Sequence, residues 1–200
     1  MHGIAALAHL ICTTYTYSNE RIRTLAKLNA VTYGDQIIWQ LTEGTNVTDA
    51  LDQIVISSNG NVGKFDQIAA QMVNGDIQCI QLAPGGVVTQ VYPLEGNEDS
   101  LIDLFHDEIR RDLACYSRDH HITLAVGPIA LKEGGDGIVI RNPVYLTDDN
   151  GQETFWGFTN AIFRTPDIFS ESTRALTSFG YVYRLSKTLS PFSSNYELID

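Results

Sequence analysis

The chain has 200 residues, of which 44% are hydrophobic and 18% charged, a composition typical of a globular protein with one sizeable core. Its 24 acidic and 13 basic residues give a formal net charge of −11 and are scattered along the sequence. This distribution excludes the basic stripe that binding to a nucleic-acid backbone requires, so we expect no nucleic-acid partner.

The beginning of the chain is apolar for too few residues to cross a membrane. Residues 2–12 read HGIAALAHLIC, whereas a spanning helix needs about 20 apolar residues. Basic flanking residues are missing and no A-x-A cleavage site follows this run, so it lacks the pattern of a signal peptide. We interpret it as the tail of a membrane anchor, or as the start of a stalk helix, in a chain that is part of a longer protein.

Helical periodicity dominates the first part of the sequence. A long helix is predicted from about Tyr17 to Glu43, because apolar residues recur every three positions and neither Pro nor Gly interrupts them before Gly34. Thr48 followed by Asp49 is a suitable N-cap for a second helix, which the turn residues at 57–61 end after Ser57. A third helix is predicted from the helical spacing of Phe65, Ile68, Ala69, Met72 and Val73, with Gly75 just past its end.

From residue 77 onward the pattern changes to extended structure. The run PGG at 84–86 is a turn signal between two apolar runs and predicts a hairpin. Between Asp99 and Tyr116 the apolar residues line one helical face, as a single helix or as two short helices with Asp107 capping the second. Strands are predicted at Ile77–Leu82, Val87–Tyr92, Ile122–Val126, Gly137–Leu146 and Phe155–Arg164. We therefore predict an α+β fold, with helices on a mostly antiparallel sheet of about five strands in a PAS-like arrangement.

Two groups of motifs, densest between Ile80 and Phe169, follow one another at the spacing of a known domain. The first group comprises Ala83-Pro84, Gly86-Val87-Val88, Val91-Tyr92-Pro93 and Gly96-Asn97-Glu98. The second comprises Asp103-Leu104, Arg110-Arg111, Gly127-Pro128, Gly134-Gly135 with Gly137, and Arg141 with Pro143-Val144-Tyr145. From residue 15 to the end, the chain resembles the CHASE family. It departs from the family pattern at Leu101, where Gly is common.

The resemblance implies a long N-terminal helix and two PAS-like lobes within a single sensory domain over residues 1–200. The stalk and second helix would take residues 1–60, the membrane-distal lobe residues 62–165, and part of a smaller membrane-proximal lobe residues 166–200. Strands of the proximal lobe are expected at Tyr181–Leu185 and in the terminal segment SSNYELID.

The resemblance also implies a location and partners. CHASE domains lie outside the cytoplasmic membrane between two spans, report a small ligand to a diguanylate cyclase or histidine kinase inside the cell, and are related to the ligand-binding domain of plant cytokinin receptors. We therefore expect an extracytoplasmic domain, periplasmic or extracellular, attached to the membrane through flanking spans absent from this chain. A parallel homodimer through the N-terminal helix is expected as well. The ligand stays open among adenine derivatives, amino acids, short peptides and organic acids.

One strand predicts a ligand cavity from its own residues. In ITLAVGP, alternation puts Thr123, Ala125 and Gly127 on one face of the strand. Side chains this small leave space beneath the sheet, so either a large neighbour packs down or a pocket remains for a ligand.

Five further residues complete the predicted ligand site. The resemblance implies that Asp103 accepts a hydrogen bond from a donor-bearing ring, with a capping or solvated carboxylate as the alternative. Arg141 shares a strand face with Val139 and Tyr145, where it recognises an anionic ligand, forms a structural ion pair or lies at the rim. Tyr92 and Tyr145 are candidate aromatic walls, and Gly135 in the glycine-rich turn is included with them.

The sequence offers no set of catalytic residues, and we expect a sensory domain without enzymatic activity, cofactor or metal. The run KEGGDG at 132–137 resembles the GGDEF hairpin of diguanylate cyclases, but Gly137 replaces the second acid and Ile138 the aromatic residue. Cys12, Cys79 and Cys115 have no metal-binding spacing and are interpreted as packing residues, although an exported protein could join two of them. The alternative function is a protein-interaction or structural module without a small ligand.

Overall fold

The computed structural model describes residues 2–73, 75–188 and 195–199, and in them the chain forms four α-helices and seven strands. The helices are α1 (His2–Ser57), α2 (Phe65–Met72), α3 (Arg111–His120) and α4 (Thr165–Ser178). The strands are β1 (Ile77–Pro84), β2 (Gln90–Tyr92), β3 (Leu124–Ala130), β4 (Asp136–Thr147), β5 (Glu153–Arg164), β6 (Ser186–Thr188) and β7 (Tyr196–Leu198). Among the helices of the described residues, none is both long and apolar enough to cross a bilayer.

The first five strands form one antiparallel sheet in the order β2-β1-β5-β4-β3. Together with the long N-terminal helix, this sheet confirms the predicted α+β class. The predicted strands at 77–82, 122–126, 137–146 and 155–164 each overlap an observed strand within a few residues.

Alternation along the strands gives this sheet two different faces. On the first face, Val139 and Phe158 pack in a core with Leu104 and Ala114 of the segment 98–120. On the second face, Phe163 and its neighbours lie against the C-terminal half of α1, where Leu51 and Val55 are fully buried. We call these the inner face and the α1 face.

Helix α1 is continuous to Ser57, so the predicted break between Glu43 and Asp49 is wrong. The Thr48 hydroxyl, which was predicted to cap a new helix, bonds to the preceding turn instead: Thr48 Oγ1 donates to the Thr45 carbonyl at 2.9 Å. Thr45 Oγ1 likewise donates to the Leu41 carbonyl at 3.3 Å. The helix also packs on the sheet here, because the Thr159 hydroxyl donates to the Thr48 carbonyl at 3.0 Å.

Between Asp99 and Tyr116 the alternative of a single helix is wrong, and the alternative of two short helices is closer to the structure. Only a 3₁₀ turn (Glu98–Ser100) and α3 are helical, while the residues between them pair with the turn that precedes β2. Val88 N donates to the Ile102 carbonyl at 2.8 Å, and Leu104 N donates to the Gly86 carbonyl at 2.9 Å. This pairing keeps residues 102–104 extended and limits β2 to three residues, fewer than the predicted Val87–Tyr92.

The described residues fall into two compact units, Ile38–Ser170 and a second one formed by Met1–Ile37 with Glu171–Asp200. Within the second unit, Ser172 Oγ donates to the Tyr33 carbonyl at 3.3 Å, and Asn29 Nδ2 donates to the Tyr181 hydroxyl at 3.2 Å. The five-stranded sheet and all the predicted site residues belong to the unit Ile38–Ser170.

The C-terminal segment differs from its predicted strands. Residues 181–185 are not in a strand, and Ser186–Thr188 pairs instead with Tyr196–Leu198. Part of the segment SSNYELID lies outside the described residues. Helix α4 follows β5 directly and has no counterpart among the predicted elements.

Candidate functional site

Three polar side chains form a row across the inner face of the sheet. The strand register places Asn160 of β5 between Gln81 of β1 and Arg141 of β4. All three are buried, with exposed fractions of 4% for Gln81, 0% for Asn160 and 1% for Arg141. Arg141 Nε donates to Asn160 Oδ1 at 3.3 Å, and Asn160 Nδ2 donates to Gln81 Oε1 at 3.2 Å. We call these residues the polar row.

Arg141 is the least satisfied member of the polar row. Its Nη1 is buried and has no hydrogen-bond partner among the residues that the structure describes. Its guanidinium carbon lies 5.6 Å from the centre of the Phe158 ring. Burial, reinforced by the nearby charge of Arg110 and opposed by Asp107, lowers the pKa of Arg141 to about 10.

A cavity covers this end of the polar row, and we call it the Arg141 cavity. It is lined by Gln81, Ser100, Ile102, Leu104, Arg110, Leu131, Lys132, Glu133, Val139, Arg141 and Ile162. The space open to the centre of a water-sized sphere is about 20 Å³, which is room for about one water molecule. A larger occupant therefore requires the surrounding segments to move.

The rim of the Arg141 cavity is fixed by charged and polar pairs. Asp107 Oδ1 accepts from Arg110 Nη1 at 3.0 Å, and its Oδ2 lies 2.8 Å from Lys132 Nζ. Arg110 Nη2 also donates to the Ala130 carbonyl at 2.6 Å, which ties the segment before α3 to the end of β3. Ser100 Oγ donates to the Glu133 carboxylate at 3.1 Å. These contacts join the segment 100–110 to the turn between β3 and β4.

Asp103 does not line the Arg141 cavity, although it lies in the same loop. Its Oδ1 accepts from the backbone N–H groups of Phe105 at 2.9 Å and His106 at 3.3 Å. Its Oδ2 lies 2.8 Å from His106 Nδ1, and this hydrogen bond is the main reason that the pKa of Asp103 lies below its ordinary value. The carboxylate therefore caps its own turn at the surface in this conformation.

Tyr145 belongs to an aromatic cluster beside the cavity. Its hydroxyl donates to the Arg118 carbonyl, and its ring stacks on His121 with centroids 3.9 Å apart. Its ring also meets Phe155 edge-on at 5.6 Å. Tyr92 lies elsewhere, on β2, where it is paired with Ile80.

The small residues of β3 lie on the α1 face, opposite the Arg141 cavity. Thr123 and Ala125 line an open groove together with α1 residues such as Leu41 and Thr45. The groove offers about 320 Å³ to the centre of a water-sized sphere. Thr123 Oγ1 donates to Asn142 Oδ1 at 2.8 Å. The predicted site residues are thus divided between the two faces of the sheet.

The two glycines among the predicted site residues, Gly127 and Gly135, occupy backbone conformations with positive φ. At Gly127 φ is +152°, and a Cβ there would lie 2.6 Å from the Gly137 carbonyl oxygen, so only glycine fits this position of the sheet. Gly135 lies in the turn between β3 and β4 with φ of +74°, beside Arg164.

Cys79 and Cys115 are free thiols in the described structure, and the side chain of Cys12 lies outside it. Burial, with a contribution from Glu133, raises the pKa of Cys79 to about 12, so this thiol is unreactive near neutral pH. Within the described ranges, no group of three or more His, Cys, Asp or Glu side chains is arranged to hold a metal ion.

With this geometry established, comparison with known proteins assigns the family. A family model described as CHASE domain matches residues 67–189, more than half of the chain. The chain belongs to the CHASE domain family. No curated protein matches it. The match extends over the whole five-stranded sheet, both the loop and the turn around the Arg141 cavity, and α4.

A solved structure resembles this CHASE domain in fold. It is described as an extracellular ligand binding receptor from Desulfohalobium retbaense DSM5692, with a TM-score of 0.56 and 16% identity over 72% of this chain. The CHASE domain spans 26% of the length of that receptor. At this level of identity the likeness shows the fold alone.

The sequence did not predict most of the residues that line the Arg141 cavity of this CHASE domain. Of the eight predicted site residues, only Arg141 lines the cavity. Gln81 and Asn160 carried a usable signal: Gln81 lies between Ile80 and Leu82, and Asn160 lies in the run 158–163, which is apolar apart from it and Thr159. Ser100 and Glu133 carried none, because they approach the row only after the loop and the turn have folded over the sheet.

Proposed function

We propose that this chain is the extracytoplasmic, small-molecule-sensing domain of a transmembrane signalling receptor, and that its ligand binds in the Arg141 cavity. The observation that carries the proposal is the buried polar row beneath the cavity, whose arginine keeps an unpartnered N–H group in the described structure. Membership of the CHASE family, a family of sensory domains, supports it. The receptor is expected to end in a diguanylate cyclase or histidine kinase outside this chain.

The small size of the cavity supports a signalling mechanism. The open space in the Arg141 cavity is about 20 Å³, which is room for about one water molecule. Any larger ligand must therefore separate the segment 100–110 from the turn that carries Lys132 and Glu133. A ligand with higher affinity for the wider arrangement then shifts the population towards it. Helices α1 and α4 each contribute residues to both compact units, so covalent connections run from the sensing unit to the other.

We retain ligand binding by Asp103 as a proposal, on the condition that Asp103 releases its present hydrogen-bond partners or binds a ligand outside the cavity. Both of its carboxylate oxygens already have partners in their own turn, namely the N–H groups of Phe105 and His106 and the His106 ring. A ligand that uses Asp103 would have to break this turn or bind outside the cavity. Variants at Asp103 and in the cavity therefore distinguish two ligand positions.

A thermal-shift screen of the purified chain tests the function. The panel contains adenine derivatives, nucleosides, amino acids and small carboxylates, and a ligand at 100 times its Kd should stabilise the fold by about 2.7 kcal/mol, a shift of several degrees. Ile102→Trp fills the cavity, and Leu101→Trp is its matched control, because Leu101 is 50% exposed and does not line the cavity. A response that Ile102→Trp abolishes and Leu101→Trp keeps is expected.

Other outcomes would redirect the proposal. A response that survives Ile102→Trp but is lost in Asp103→Ala would place the ligand at the Asp103 turn instead of the cavity. No response across the panel, from a chain with a cooperative melting transition, would contradict small-molecule sensing and favour a protein-interaction module.

A further inference from the structure

The polar row contains a buried positive charge, that of Arg141, which no described residue neutralises. Arg141 is 1% exposed, and no carboxylate within the described residues forms an ion pair with it. Its one hydrogen bond to a side chain of the row goes to a neutral amide, that of Asn160. A buried cation without a counter-charge is unfavourable, because desolvation is not offset by attraction.

The other charges around the Arg141 cavity are already engaged. Arg110 and Lys132 share the carboxylate of Asp107, and the Glu133 carboxylate accepts from Ser100. Three cations and two carboxylates therefore leave one positive charge, and the unpartnered Nη1 locates it at Arg141. A single negative charge would balance the site.

The shape of the donor and the lining narrow the class of anion. A guanidinium presents its N–H groups as a planar fork that matches the two oxygens of a carboxylate. Beside its polar lining residues the cavity has an apolar wall, formed by Ile102, Leu104, Leu131, Val139 and Ile162. The small volume favours few heavy atoms, since each added atom requires the loop and the turn to move further apart.

We propose that the Arg141 cavity binds a short-chain monocarboxylate, with its carboxylate on the Arg141 guanidinium and its alkyl group against the apolar lining. Asn160 acts as a positioning residue, because it holds Nε and leaves Nη1 without a partner among the described residues. The inference rests on the proposed sensing function and specifies its ligand class.

Titration of the full chain with acetate and propionate tests the inference, with acetamide and propionamide as neutral isosteres and sodium chloride at the same ionic strength. Binding is followed by isothermal calorimetry and by melting temperature. Both carboxylates should bind, with propionate the tighter of the two because its extra methylene meets the apolar wall. The amides and chloride should produce no saturable response.

Three variants locate the binding. Arg141→Met keeps the apolar stem and removes the fork, so the Kd for propionate should rise by at least about tenfold. Asn160→Asp places a carboxylate beside Nε, so it should compete with the ligand and raise the Kd by about tenfold while the unliganded melting temperature increases. Arg111→Met is the control: it removes the same guanidinium charge, but the Arg111 side chain is 59% exposed, is paired with Asp112 at the surface and does not line the cavity, so the Kd should change by less than about threefold.

The contrary results are distinct. Equal binding of propionamide and propionate, a matching chloride response, or an equal loss in Arg111→Met and Arg141→Met would overturn the carboxylate class. If neutral compounds bind and Ile102→Trp abolishes their binding, the sensing function stands and only the ligand class fails. If no compound of either panel binds, both fail and Arg141 is a hydrated structural residue. If Arg141→Met does not fold, judged by circular dichroism, Asn160→Asp decides the result.

Discussion

Asp107 shows how single side chains hold the cavity rim together. Its Oδ1 accepts from the backbone N–H groups of Ile109 and Arg110, both at 3.1 Å. The same carboxylate also pairs with the Arg110 side chain through Oδ1 and with Lys132 through Oδ2. Burial alone would raise its pKa, but the hydrogen bonds from Lys132 and Arg110 outweigh this effect and lower the pKa of Asp107 to about 2. The carboxylate is thus charged under all physiological conditions.

Replacing Asp107 with Asn should destabilise the chain by about 3 kcal/mol at pH 7, because Arg110 then stays buried without its counter-charge. The folded-state pKa lies below the unfolded value of about 3.9, so the contribution of Asp107 is complete above pH 4 and is lost as pH falls towards 2. At pH 3 the difference in unfolding free energy between the two proteins should be smaller by about 1 kcal/mol.

Urea unfolding of the wild-type chain and Asp107→Asn at pH 7 and pH 3 measures this difference. Asp112→Asn is a suitable control, since Asp112 is exposed and its contact with Arg111 lies at the surface. A stability difference for Asp107→Asn that is independent of pH would show that its carboxylate is not held ionised by the two cations.

At the scale of elements, the packing of α1 on the sheet depends on Gly44. A Cβ at this position would lie 2.5 Å from Phe163 Cε2 and 2.8 Å from Ile140 Cγ1, closer than real side chains approach. Glycine lowers helix propensity by about 1 kcal/mol relative to alanine, but here it lets the helix backbone reach the sheet. Gly44 is therefore a packing contact within a continuous helix, next to the position at which the first helix was predicted to end.

Two alanine substitutions in α1 should consequently have opposite effects. Gly44→Ala should destabilise the chain by about 1 to 3 kcal/mol through overpacking against Phe163. Gly34→Ala, where nothing lies within 4 Å of the added Cβ, should stabilise it by up to about 1 kcal/mol. Melting temperatures of both variants measure the effect, and an increase for Gly44→Ala would contradict the close approach of helix and sheet.

The same helix shows why the sequence predicted the elements better than their ends. Apolar periodicity located the helices up to Met72 and the strands of the sheet, because periodicity reflects which face is buried. The continuity of α1 through Gly44 and Thr48 depends on contacts with Phe163 and Thr159, which are more than 100 residues away and invisible to local patterns. Tertiary packing overrode local propensity at this point.

The candidate site was predictable only in part, for a related reason. Arg141 was found because a cation in an apolar strand is unusual. Gln81 and Asn160 became its neighbours through the strand register, which bulges in β1 and β5 shift. Thr123 and Ala125 were grouped with Arg141, but the observed register points them to the opposite face.

At the scale of the whole molecule, the chain combines the unit that contains the five-stranded sheet with a helix that exposes apolar side chains. In the unit that contains Met1–Ile37, the residues Leu25 and Leu28 are 51% and 59% exposed. Three residues apart on a helix, they share one side of it. Such a surface is unusual on a monomer and is suited to pairing with the same helix of a second copy.

We expect the chain to form a homodimer through this side of α1, and the double substitution Leu25→Asp with Leu28→Asp to dissociate it. Two carboxylates facing their copies add repulsion and remove apolar contact, so the dimer should weaken by at least about a hundredfold. Sedimentation equilibrium should give twice 22.1 kDa for the unaltered chain and 22.1 kDa for the variant. Lys27→Asp is the control, because it changes charge on another side of the same helix and should leave the mass unchanged. A mass of 22.1 kDa for the unaltered chain at every concentration, or dissociation by Lys27→Asp alone, would contradict pairing through Leu25 and Leu28.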